Sequence, residues 1–118
     1  PFVCQIGNGH YQPQHCKFFR FASSIENFIY RASLVVTHGG TTTLQLMQCR
    51  KRFVAIANTE LADDHQSSFL RCLSSHADIV WSREAQSLER LIEKASQRMP
   101  PILRAPSLAN DIVSDFTL

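Results

Sequence analysis

The residues best placed to do chemistry are His38, Gly39, Gly40, Thr41 and Thr42. They separate two apolar patterns, Leu34-Val35-Val36 before them and Leu44, Leu46 and Met47 after them. An apolar run that stops at a histidine and two glycines and resumes at helical spacing reads as strand, tight turn and helix start. Backbone N–H groups at such a turn face whatever sits above the strand's end. With the positive end of the helix they suit an anion, typically a phosphate. A plainer reading stands beside it: the turn only connects, and the threonines only cap the helix.

Other chemistry-bearing groups fall on comparable junctions. Asp63, Asp64, His65 and Gln66 precede an apolar stripe of Phe69, Leu70 and Leu73. Acids there suit a helix's positive end, whether or not they touch a ligand. Gly7-Asn8-Gly9 closes the short run 2–6, and its residues tolerate turn conformations. His10, His15 and Cys16 are metal-ligating types, but their spacing matches no common site, so no metal is expected.

These groups need elements to position them. Strands are expected at 2–6, 17–22, 34–37, 53–57 and 77–81. A helix is expected after Ser23, with Ser23 and Glu26 spaced as a capping box and Ile25, Phe28, Ile29 and Ala32 as its stripe. A second follows the His38 turn and is broken by the charges of Arg50-Lys51-Arg52, and a third opens at Asp63. Leu88, Leu91, Ile92 and Ala95 predict a fourth over about 84–98, ended by Met99-Pro100-Pro101. The unbroken apolar run at 53–57 predicts a strand buried on both faces, as in a parallel sheet. Alternating strands and helices imply an α/β layer fold, Rossmann-like, with a mostly parallel sheet flanked by helices. Ligands of such folds sit beyond the carboxyl ends of the strands, where the polar stretches above all fall.

Composition excludes several classes. The 118 residues suffice for one domain with a real core. A net charge of +2 is too mild to argue for nucleic acid. The longest apolar runs are far short of the ~20 residues that span a membrane. Cysteines at 4, 16, 49 and 72 form no CxxC pair, which points to a reducing cytoplasm. The start at Pro1-Phe2-Val3, directly in a strand-like run, suggests that the start has been cut off and that some of the fold is missing. Residues 1–104 are expected to form the α/β domain and 105–118 a tail or last helix.

The segments Gln5-Ile6-Gly7-Asn8-Gly9, Phe19-Arg20-Phe21, Ala32 to Gly40 and Leu61-Ala62-Asp63-Asp64-His65-Gln66 occur in an order and spacing that resembles the carboxyl-terminal domain of glycosyltransferase family 28. That domain is half of a GT-B fold. The resemblance is strongest to PssE-type exopolysaccharide glycosyltransferase subunits and to the catalytic subunit of the split UDP-N-acetylglucosamine transferase of asparagine-linked glycosylation. It implies a UDP-sugar donor as substrate, no cofactor, and a metal-independent inverting transfer. It also implies a membrane-anchored partner subunit carrying the acceptor site, and a cytoplasmic location peripheral to the membrane through that partner.

Residue by residue, the resemblance assigns His38, Gly39, Gly40, Thr41 and Thr42 to the diphosphate. Phe21 and Ala22 would frame the uracil, and Gln45 would meet the ribose. Asp63, His65 and Gln66 would contact the donor sugar, and Gln5, Gly7 and Asn8 would border the cleft. No catalytic base is identified. The chain departs from the family at Gln45, where relatives carry a glutamate with stronger charge-assisted bonding. Its turn is also one residue shorter, and Arg50-Lys51-Arg52 replaces the frequent Gly-Lys-Pro. These departures suit a second reading, a non-catalytic module that binds and stabilises a partner. A third reading is another nucleotide-binding α/β protein.

Overall fold

A computed structural model describes residues 3–5, 10, 12–14, 16–20, 25–60 and 64–103. Contacts divide the chain into two units, Pro1–Arg31 and Ala32–Leu118. The expected tail 105–118 and the capping residue Ser23 lie outside the described residues.

The first unit holds β1 (Val3–Gln5), β2 (Lys17–Phe19) and α1 (Glu26–Arg31). β1 and β2 pair in parallel, Val3 opposite Lys17 and Gln5 opposite Phe19. Phe19 stacks on Phe28 of α1 with ring centroids 4.4 Å apart. Ile29 is the buried residue of α1.

The second unit contains β3 (Leu34–Thr37), α2 (Thr42–Gln48), β4 (Arg52–Ile56), α3 (His65–Ser74), β5 (Val80–Ser82) and α4 (Leu88–Ser96). Its strands form a parallel sheet in the order β3-β4-β5, with Val36 opposite Val54 and Val54 opposite Val80. β4 is the central strand, and Phe53 to Ala57 are all buried, as their uninterrupted apolar character predicts. Val54 and Ile56 pack with Val80 and with Leu91 and Ala95 of α4 on one face. Phe53 and Ala55 alternate to the other face; α2 packs against β4, and Leu44, Leu46 and Met47 of α2 and Phe69, Leu70 and Leu73 of α3 are buried. The fold is thus α/β with a parallel sheet between helices, as expected for a Rossmann-like half domain.

Three local expectations change. The fifth strand begins at Val80 and not at Ala77, because the ladder with β4 starts at the Val54–Val80 pair. Ala77 and Ile79 are buried, but in a turn where the Ile79 N–H bonds the Ala77 carbonyl. The charged triplet does not end α2 by charge. Arg50 takes a left-handed conformation (φ 55), its N–H bonds Met47 O, and the Lys51 N–H bonds Leu46 O. That pair of bonds closes the helix as a Schellman motif, with arginine where glycine is usual. Arg52 already belongs to β4. Finally, 85–87 form a 3-10 turn that leads into α4.

Candidate functional site

The β3–α2 turn is held from several sides. The His38 Nδ1 lies 2.9 Å from the Ile56 carbonyl oxygen. A carbonyl only accepts, so Nδ1 carries the proton, and Nε2 is the free ring position of the neutral imidazole. The Gly39 N–H donates to Gln66 Oε1 at 3.2 Å, and the Asn58 N–H donates to the same oxygen at 2.7 Å. The Gly40 N–H closes onto the His38 carbonyl at 3.0 Å. The fully buried Thr43 donates its hydroxyl to the Gly40 carbonyl at 2.7 Å, and its N–H donates to the same oxygen at 3.1 Å.

This inventory refines the expected anion site. Two of its N–H groups, those of Gly39 and Gly40, are already used within the protein. The N–H groups of Thr41 and Thr42 make no hydrogen bond to another described residue. Thr41 is the N-cap of α2, but its side chain caps nothing; the threonine that bonds back to the turn is Thr43.

The glycines are needed for different reasons. Gly39 is buried, and a Cβ there would stand 2.3 Å from Leu70 Cδ1 and 2.5 Å from its Cγ. Contact of the turn with α3 therefore requires glycine at this position. At Gly40 a Cβ would meet nothing within 4 Å, so the space beside it is open.

That open space belongs to a cleft of ≈ 110 Å³ lined by Gly39, Gly40, Thr41, His65, Gln66 and Phe69. The fold therefore joins the first two strand-end stretches that the sequence singled out: the His38 turn and the start of α3. His65 is exposed there, and Gln66 is half-buried. Phe69, foreseen only as a core residue, also forms part of the wall. Thr42 and Gln45 are half-buried on α2 and are not among the lining residues. Gln5 ends β1 in the other unit. Gly7, Asn8, Phe21, Ala22 and Asp63 lie outside the described residues.

Asp64 opens α3 in a left-handed conformation (φ 50) and accepts from Arg83 at 2.8 Å, tying the start of α3 to the end of β5. Its Oδ1 and the Ser67 Oγ are both shut off from solvent without an aligned hydrogen-bond partner. The nearby Ser67 hydroxyl is the largest influence on the Asp64 carboxyl and lowers its pKa; burial opposes this and Arg83 adds to it. The net effect is a carboxyl more acidic than usual.

Asn58, at the start of the polar segment expected at this rim, and Thr43, expected as a helix cap, both support the site; Ile56, Leu70 and Arg83 support it too, and no sequence pattern pointed to them. Among the described residues, no three His, Cys, Asp or Glu side chains gather as a metal site, and no helix is long and apolar enough to cross a membrane.

Searches of curated proteins and of solved structures return no match. A family model does match: that of the glycosyltransferase family 28 C-terminal domain, over residues 1–112. With a parallel α/β sheet, a glycine turn at the end of one strand and a polar helix start facing it across a cleft, the chain belongs to the glycosyltransferase family 28 C-terminal domain family.

Proposed function

We propose that this chain is the donor-binding part of a UDP-sugar-dependent glycosyltransferase. One observation carries the reading. The turn that the family resemblance assigns to the diphosphate and the segment it assigns to the sugar line a common cleft.

In this reading the diphosphate lies against Gly40, Thr41 and Thr42. The N–H groups of Thr41 and Thr42 donate to it, and the absence of a side chain on Gly40 lets it approach the backbone. Displacement of UDP from the anomeric carbon builds negative charge on the leaving diphosphate. Fixed N–H donors stabilise that charge as it forms, which serves an inverting transfer without a metal. His65 and the amide NH2 of Gln66 face the sugar, to which the family resemblance also assigns Asp63. The family resemblance assigns the nucleoside to Gln45 and to the segment Phe21-Ala22.

The acceptor site and the base that takes its proton come from a partner subunit anchored in the membrane. The chain then works at the cytoplasmic face, in polysaccharide or lipid-linked glycan synthesis.

The test is calorimetric or ligand-observed NMR titration with UDP, UDP-sugars and ADP. Saturable binding that prefers uridine diphosphates is the expected result. Absence of binding with partner present, or stronger binding of ADP, overturns it.

A further inference from the structure

Gln66 makes two hydrogen bonds with one atom. Its Oε1 accepts from Gly39 N–H and from Asn58 N–H, groups 27 and 8 residues away in the chain. Both partners can only donate, so the atom facing them is the amide oxygen. A carbonyl oxygen has two lone pairs, and both are engaged here. The NH2 group is bonded to no other described residue, while the side chain lines the cleft.

The geometry links three pieces of the rim through one side chain: the turn after β3, the loop after β4 and the first turn of α3. Resting on the donor-site reading above, we propose that Gln66 is a positioning residue for the phosphate turn. Its carbonyl fixes Gly39 and thereby sets the direction of the Thr41 and Thr42 N–H groups that follow. With its oxygen spent on the protein, Gln66 offers a ligand only N–H donors. The ligand group beside it is therefore an acceptor, a sugar or phosphate oxygen, and not a hydroxyl that must donate.

The test compares the wild-type protein with Gln66→Met and Gln66→Glu. Methionine keeps the length and removes the acceptor; glutamate keeps an acceptor oxygen. Amide hydrogen exchange is followed by NMR on the ligand-free proteins, and each is then titrated with UDP. In Gln66→Met, exchange of the Gly39 and Asn58 amides should quicken about fivefold, the loss of one net hydrogen bond each, with the core amides unchanged. UDP affinity should fall by a similar factor, again about fivefold. Gln66→Glu should keep both amides slow. Gln66→Asn, which keeps the amide but shortens its reach, provides the same contrast if the methionine variant folds poorly. Wild-type exchange at Gly39 and Asn58 in the methionine variant overturns the proposal, as does release of both amides with UDP affinity unchanged. A wild-type protein that binds no UDP overturns the donor-site reading instead, and the ligand-free amide comparison still decides whether Gln66 holds the rim.

Discussion

Gly39 and Leu70 leave no room for a side chain between them: a Cβ on Gly39 would come within 2.3 Å of Leu70 Cδ1. Leu70 is fully buried, and in a close-packed interior its side chain shifts only by displacing neighbours. Gly39→Ala is therefore expected to destabilise the fold by about 1–3 kcal/mol, as overpacking does. Pairing it with Leu70→Ala should recover part of that loss in a double-mutant cycle read by urea unfolding. Gly40→Ala, by contrast, should fold like the wild type, since its Cβ meets nothing within 4 Å. Its expected defect is in UDP affinity, lowered about tenfold by a methyl group at the backbone approach to the phosphate. Equal stability losses at both glycines would contradict this division.

His38 should be the Nδ1–H tautomer whenever it is neutral, because Nδ1 donates to the Ile56 carbonyl. Long-range proton–nitrogen NMR of the imidazole reads this directly. An Nε2–H signal would show that the bond to Ile56 does not form. His38→Asn should weaken the tie between the two strand ends by about 1 kcal/mol, the usual net worth of one hydrogen bond.

Asp64 should titrate below the ordinary aspartate value of 3.8, since the Ser67 hydroxyl and Arg83 together outweigh burial. The sign follows from linkage. A carboxyl whose folded-state pKa is depressed adds stability that is complete above its unfolded pKa and is lost as pH falls through the folded one. Neutral solutions therefore keep the α3–β5 tie, and it is lost only below about pH 4. Side-chain carboxyl shifts followed by NMR check the midpoint; a value at or above 3.8 would contradict the assignment. Ser67→Ala and Arg83→Ala should each raise the midpoint, since both partners lower it.

Arg50 closes α2 at φ 55, a conformation that costs a residue with a side chain about 1–2 kcal/mol. Arg50→Gly should raise stability by about 0.5–1 kcal/mol, after allowing for the greater freedom of glycine in the unfolded chain. Thermal unfolding measures it. Unchanged or lowered stability would mean that the arginine side chain makes a compensating contact.

Much of this protein was legible in one dimension. Periodicity is a local property, so the strand at 34–37, the doubly buried β4 and the stripe of α4 could be read directly. So could the polar stretches at the strand ends, because turn-forming residues announce themselves by type. Family membership followed from the same short motifs, now matched over residues 1–112. Where β5 begins was not legible, since its start depends on which residue of β4 it faces.

The tertiary structure decided how the site is built. No sequence pattern couples Gly39 to Gln66 or to Leu70, yet those contacts determine which N–H groups stay available and which glycine is obligatory. The sequence alone determined the chemical kinds present at the rim: glycine, threonine, histidine and amide. Folding assigned each of them its task, because a hydrogen bond or a steric contact depends on distance in space and not on distance along the chain.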